Sequence, residues 1–576
     1  MSLLAALTRA YDRLPDAPPY GFSTEKIGFC VVLETDGRVA EVIDLRGDDK
    51  KRSPRMLLVP QAVKRTAGIA PNFLWDKSAY VLGVTAGEGK RTAEEHAKFR
   101  EKHLDWLADT TDPGLLALCR FLESWDPASF AAPQWQDEAR DQNLVFRLSG
   151  EFTFLHDRPA ARTLWREIGA EGASDPQICL VTCTPGPVAR LHPSIKGVWG
   201  AQSSGASLIS FNLDAFTSYG HDQGDNAPVS EAAAFAYTTA LNRFLEKDSG
   251  HRIQIGDAST VFWADAPDDA AEEAENLFSA FFDPAGDEKL AAAKIKDKLD
   301  AIRSGTRLTE VAPNLAQGVR FHVLGLAPNA ARLSVRFYWT SDFGTLTAHY
   351  QRYLQDTEVQ PPPRDGWPPL WRYLIELAVQ GKRENVPPLI AGEWMRAILT
   401  GAPYPLTLLS TTLMRLRADG EVSPLRAAIL KSILIRNFKS KEAPVALDPA
   451  NTNKGYMLGR LFAVYEEVQR AALGGNVNAT IKDKFYGAAS ATPQKVYRTL
   501  DAGAQNHFSK LRKQSPGRAV NLEKLLTAIT DLMEPGNDPY PASLTAAEQA
   551  LFGLGYYHQR SDFFRKHDDK TPEVTE

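Results

Sequence analysis

Residues 360–369 read Gln-Pro-Pro-Pro-Arg-Asp-Gly-Trp-Pro-Pro. Proline fixes φ and removes a backbone donor, so five of them around a glycine end any helix or interior strand. The stretch reads as a stiff connector, and the sequence changes character across it. Beyond it, strand signals almost vanish. Segments 370–379, 391–400, 404–418, 422–436, 457–474, 492–512, 519–533 and 543–552 carry helical spacing, as expected of a bundle of roughly 200 residues. Before it, short strands and helices alternate without a regular βαβ rhythm. The expected fold class is α+β: a mixed strand/helix domain over 1–360, a Pro-rich linker over 361–369 and an all-α helical bundle over 370–576.

Within the first part, Ile27–Leu33 and Val39–Leu45 flank Asp36-Gly37, a hairpin signal. Ala79–Val84, Leu144–Leu148, Ile178–Cys183 and Leu208–Phe211 read as short strands. Thr92–Leu107 and Ser230–Leu245 have the apolar spacing of helices, each opening on a hydroxyl residue followed by acids. Val319–Leu326 and Arg332–Trp339 form a second expected hairpin, turning at Pro328-Asn329.

A chain of 576 residues can bury a large core and divide into two or more domains, and 43% hydrophobic with 24% charged residues is ordinary for a soluble globular protein. No apolar run approaches the ~20 residues of a membrane span. The opening MSLLAALTRAYDRL reads as a short amphipathic helix with no basic n-region, so no signal peptide, no membrane partner and a cytoplasmic location are expected. Four cysteines make no disulfide framework. Cys179 and Cys183, near His192, read either as a metal pair at an unusual spacing or as a buried strand with both thiols on one face. No metal and no cofactor are expected.

Charge is segregated. Arg46, Lys50, Lys51, Arg52, Arg55, Lys64 and Arg65 face only Asp48 and Asp49, whereas Asp257–Glu288 holds ten acids and no base. Lys431, Arg436, Lys439 and Lys441 form a later basic run, and Lys510, Arg512, Lys513 and Arg518 another. Each reads as a solvated face or as part of a polyanion track, where counterion release would supply sequence-independent affinity.

Two uncharged features stand beside these runs. From Gly197 to Leu213 the chain carries no charge, yet Gly197, Gly200 and Gly205 free its backbone and Gln202, Ser203, Ser204 and Ser207 add short donors and acceptors. Gly200–Ser207 has P-loop glycine spacing, but Ala206 stands where the lysine must be. Neither serine at 203–204 lies in G-x-S-x-G. A surface contacting nucleic acid without chemistry and a plain glycine-rich turn remain. The second feature is Pro71-Asn72-Phe73-Leu74-Trp75-Asp76-Lys77. Asn72 carries a donor and an acceptor suited to a base edge, and Phe73 or Trp75 has the shape of a wedge. The alternative is a turn whose rings fill the core.

Asn72-Phe73-Leu74-Trp75-Asp76, the block Gly200–Asn212 (GAQSSGASLISFN) and Asn226-Ala227-Pro228-Val229-Ser230 resemble the large subunit of type I-C CRISPR surveillance complexes (Cascade). So do Gly392-Glu393-Trp394, Leu447-Asp448-Pro449, Gly455–Phe462, Asn478–Ile481 and Phe485–Ser490. The resemblance runs along essentially the whole chain, in order, and includes no catalytic signature. It implies a non-enzymatic subunit that recognises a short protospacer-adjacent motif in double-stranded DNA, promotes duplex opening and R-loop formation, and helps recruit a helicase–nuclease. Guide pairing then reads the rest of the target. Implied partners are the backbone and guide-RNA-end-capping subunits, the guide RNA, the target duplex, the displaced single strand and a separately translated small subunit, for which Met457 is a candidate internal start. Motif recognition is expected at Asn72, Phe73, Trp75, Gln202, Ser203 and Ser204. Backbone binding is expected at Lys50, Lys51, Arg52, Lys64, Arg65, Lys77, Lys196, Lys510, Arg512 and Lys513. The alternatives are a nuclease or nucleotide-processing enzyme using acids of Asp257–Glu288, and a purely structural scaffold.

Overall fold

The computed structural model describes residues 2–15, 17–48, 52–63, 65, 68–171, 176–282, 293–364, 366–474, 479–536 and 538–565. They form an α+β protein whose strands all precede residue 343 and whose remaining elements are helical. Two compact units emerge: residues 1–195 with 206–243, and residues 196–205 with 244–576. Residues 361–369 lie inside the second unit, and the core of that unit runs on from the strands before them to the helices after them.

The first unit opens with strands β1 (Phe22–Ile27), β2 (Phe29–Leu33), β3 (Val39–Asp44), β4 (Arg55–Pro60), β5 (Trp75–Lys77) and β6 (Asn143–Leu148). A four-stranded sheet has the order β3-β2-β6-β5, with β2 parallel to β6 and the other pairs antiparallel. The β2/β3 hairpin forms as expected, and Gly37 supplies its positive φ of 90°. Phe29, Val31 and Leu33 point to a core shared with helices Thr92–Trp106 and Pro113–Ser124. Cys30 points the other way, against Ile27, Val59 and Trp75. Burial on both faces explains why β2 is apolar at every position.

Three expected strands differ. The first half of Ala79–Val84 belongs to the helical turn Ser78–Val81 and the rest is turn and loop, because an apolar run this short carries no period to separate strand from buried helix. Of Ile178–Cys183, only Ile178 lies in a strand, the two-residue Gln177–Ile178 that pairs with Pro185–Gly186. The chain then turns at Cys183 with φ 58°, leaving Cys179 buried and Cys183 exposed, so the thiols do not share a face. Leu208–Phe211 forms no strand.

In the second unit, β9 (Arg252–Ile255), β10 (Ala258–Asp265), β11 (Arg320–Asn329) and β12 (Arg332–Asp342) make an antiparallel sheet in the order β12-β11-β10-β9; β7 (Gln177–Ile178) and β8 (Pro185–Gly186) are the short pair of the first unit. The β11/β12 hairpin forms, turning at Ala330-Ala331 rather than Pro328-Asn329, since Asn329 still pairs with Arg332. Phe262, Phe278, Phe321 and Phe343 pack as one aromatic cluster beneath it. Farther along, helices Lys454–Leu473 and Ala546–Asp562 approach closely because Gly455, Gly459 and Gly555 sit where they meet. A Cβ at Gly459 would overlap the Phe552 carbonyl, and one at Gly555 that of Tyr456.

Candidate nucleic-acid interface

In the first unit, Asn72–Asp76 folds into a buried knot. Asn72 Oδ1 accepts from Val63 N at 2.9 Å, and the Trp75 indole donates to the Pro60 carbonyl at 2.8 Å. Phe73 stacks on Trp165 at 5.3 Å and meets the edge of Trp106 at 5.7 Å. Leu74 takes a positive φ of 63°, and its N–H donates to His103 Nε2 at 2.9 Å. Complete burial holds that imidazole down at about 4, so it is neutral and free to accept. Asp76 collects the Asn72 and Lys77 N–H groups at 2.8 Å each and an ion pair from Arg65. Its burial pushes the carboxyl up, and the Arg65 charge opposes that.

Asn72, Phe73 and Trp75 are therefore core residues of this fold, at 4%, 1% and 3% exposure, and not the solvent-facing reading head expected of them. The physical reason is tertiary: a loop beside a sheet buries its rings wherever other aromatic side chains are there to receive them. Arg65 is likewise committed, bonding the Ala70 carbonyl at 2.7 Å and lying 4.1 Å above the Tyr80 ring. Lys77 is exposed, and Arg52 pairs with Asp44. Lys50, Lys51 and Lys64 lie outside the described residues.

The loop at 196–205, which is uncharged after Lys196, belongs to the second unit. Its frame is rigidly tied. Gly197 has φ +84°, and a Cβ there would meet the Leu245 carbonyl oxygen at 2.8 Å. One Arg252 nitrogen, Nη1, donates to the carbonyls of both Gly197 and Leu245, at 2.8 and 2.9 Å. Trp199 N donates to Ser259 Oγ of β10 at 2.9 Å, and Gly205 N closes a turn onto the Gln202 carbonyl. On this frame Gln202, Ser203 and Ser204 are exposed, as is Lys196. Beside them Trp199 is 71% exposed, a residue to which sequence reasoning gives no role. The one signal for it is an indole set among glycines in an uncharged run.

Of the helical cations, Lys510 and Lys513 are exposed on helix Tyr497–Gln514, while Arg512 pairs with Glu523 and Arg518 with Glu467 at 2.5 Å. The run from Lys431 to Lys441 is only half a surface. Lys431 is buried, its ammonium donating to the carbonyls of Gln355 and Asp356 at 2.9 and 3.2 Å, and burial lowers its pKa. Arg436 is buried against Asp356 at 2.6 Å. Of the acids in Asp257–Glu288, Asp257 pairs with Arg336 at 2.5 Å, and on helix Asp268–Phe282 Glu273 pairs with Lys298 and Glu275 accepts from Ala264 N at 2.8 Å; Asp283, Asp287 and Glu288 lie outside the described residues. Among the described residues no group of three or more His, Cys, Asp or Glu side chains is placed to hold a metal ion, and no helix is long and apolar enough to cross a membrane.

A family model described as CRISPR-associated protein (Cas_Csd1) matches residues 7–564. No curated protein matches the chain.

Proposed function

The chain belongs to the Cas_Csd1 family of CRISPR-associated proteins, and from that premise we propose that it is the non-catalytic large subunit of a type I-C surveillance complex. In that role it recognises the protospacer-adjacent motif in duplex DNA, promotes opening of the duplex, and helps recruit the helicase–nuclease in the cytoplasm. The observation that best supports this reading is the tethered loop Lys196–Gly205. Bonds from Arg252 and Ser259 fix its backbone, so the exposed amide, hydroxyls and indole meet a partner without first having to be ordered. Gln202, Ser203 and Ser204 have the donors and acceptors to read a groove edge. Trp199 offers a flat face for a base freed from its stack. Lys77, Lys510 and Lys513 are exposed cations suited to phosphates. Asn72, Phe73 and Trp75 act one step back, shaping the frame beside Lys77.

The test uses the ribonucleoprotein assembled with its guide RNA. Gln202→Ala should reduce preference for a motif-bearing duplex by about 1–3 kcal/mol, the worth of one good hydrogen-bonded base edge. Trp199→Ala should weaken retention of the opened strand by a similar ~1–3 kcal/mol of stacking. Unchanged preference and unchanged opening in both variants would remove the loop from DNA recognition. Cleavage of labelled DNA by the pure chain with a divalent metal would overturn the non-catalytic role. Translation from Met457 would start inside helix Lys454–Leu473, without the Gly455 and Tyr456 that pack on Ala546–Asp562. A Met457→Leu change that leaves a short C-terminal product on a blot excludes that start.

A further inference from the structure

In the first unit, Asn212–Asp222 is exposed at every one of its residues. Within it Leu213, Phe216 and Tyr219 recur every third position, at 58%, 36% and 99% exposure. The segment is nonetheless held in one shape. Phe216 N and Thr217 N donate to the carbonyls of Leu213 and Asp214 at 2.9 and 3.0 Å, and His221 N donates to that of Ser218 at 2.9 Å. Asn226 clamps the far side: its Oδ1 accepts from Ser218 N at 2.9 Å, and its Nδ2 donates to the carbonyls of His221 and Gln223 at 2.9 and 3.0 Å. Apolar side chains kept in water on an ordered loop forgo the hydration free energy that covering them would return, and little chain entropy stands against that gain.

The charge of the same loop says what covers it. Residues 211–226 hold Asp214, Asp222 and Asp225 and no lysine or arginine. The three carboxylates, with Arg190 and Gln223, line a polar cleft of about 480 Å³. The Gln223 side-chain oxygen is buried there with no hydrogen-bond partner among the described residues. Three carboxylates against one guanidinium repel a phosphate backbone, so this face is unsuited to nucleic acid. They attract an ammonium or guanidinium group.

We propose that 212–225 is a docking surface for a protein partner with a cationic face. Leu213 and Tyr219 are covered by apolar groups of that partner, and one of its lysine or arginine side chains enters the cleft of Asp214, Asp222, Asp225 and Gln223. An exposed tyrosine beside a charge-specific pocket is the composition of an interface anchor. The inference rests on the proposed function only in placing the partner among the other subunits of the complex.

The experiment uses the full-length chain and, as separate probes, the purified backbone subunit, guide-end subunit and helicase–nuclease of the proposed complex, plus labelled duplex and single-stranded DNA. The variants are Leu213→Ser with Tyr219→Ser, and Asp222→Lys with Asp225→Lys. All four side chains are exposed, so thermal unfolding should be unchanged. One protein probe should bind the unaltered chain, and each double variant should weaken it by about tenfold or more. Added salt should weaken the unaltered pair more than the Lys variant, and DNA binding should stay within about twofold. The proposal is overturned if no protein probe binds, or if neither variant weakens one. It is equally overturned if the Ser variant mainly lowers DNA affinity, or if only self-association of the chain responds. Protein docking that behaves as expected in a chain showing no preference for motif-bearing DNA would sink the proposed function and leave this inference standing.

Discussion

Asp356 is the residue whose removal the second unit should tolerate least. Its carboxylate, 5% exposed, receives Arg436 Nε at 2.6 Å and the Tyr404 hydroxyl at 3.1 Å. The Arg436 side chain is 1% exposed, lies 4.2 Å above the Tyr404 ring, and has no partner at Nη2 among the described residues. Asp356→Ala strands a buried guanidinium that cannot shed its charge, a penalty of about 3–5 kcal/mol. It also strands a buried hydroxyl at about 1–3 kcal/mol, and the two do not simply add because they share one carboxylate. The expected total is about 4–6 kcal/mol, large against the ~5–15 kcal/mol that holds a domain folded. Arg436→Met in the same background removes the stranded charge, so the double variant should recover much of the stability. The assay is urea unfolding followed by far-UV circular dichroism on the two single variants, the double variant and the unaltered chain. An Asp356→Ala effect below about 1 kcal/mol, or a double variant as unstable as the sum of the singles, would refute the stranded-charge account.

Gly459→Ala should destabilise the packing of helices Lys454–Leu473 and Ala546–Asp562 by about 1–3 kcal/mol or more, because the new methyl overlaps backbone; limited proteolysis of the C-terminal helices reports it. Asn72→Ala should lower stability by about 0.5–1.5 kcal/mol through loss of the part-buried bond from Val63 N–H, and leave motif preference unaltered in binding assays on the folded fraction. Burial holds His103 and His558 at about 4, below the ordinary imidazole value, so the unfolded chain takes up protons first. Their contribution is whole above about pH 6.5 and declines as pH falls toward about 4; urea midpoints that do not drop between about pH 7 and 5 would contradict this. Lys510→Gln with Lys513→Gln should weaken DNA binding regardless of sequence and flatten the log–log salt slope by about 0.9 for each phosphate no longer neutralised; weakening confined to one sequence would count against backbone binding.

Where local chemistry acts alone, the sequence was enough. The Asp36-Gly37 hairpin follows from its turn residues, and the β11/β12 strands and the long helices Thr92–Trp106 and Glu231–Leu245 follow from their apolar period, which neighbouring segments do not alter. The α+β class was legible in the same way, with strands confined to the part of the chain before residue 343. The bonds that tether the loop around Gly200 were not, because Arg252 and Ser259 lie 55 residues or more farther along the chain than the groups they hold. Tertiary structure alone decided which polar and aromatic side chains face water. Phe73 and Trp75 look like a wedge in sequence and are core in the fold. Trp199 looks incidental in sequence and stands exposed. Lys431 and Arg436 look like surface charge, yet they turn inward because the carbonyls of Gln355 and Asp356 and one carboxylate await them across 75 residues or more of chain. Exposure is set by what packs against a side chain, and such partners are distant in sequence, so no local pattern records it.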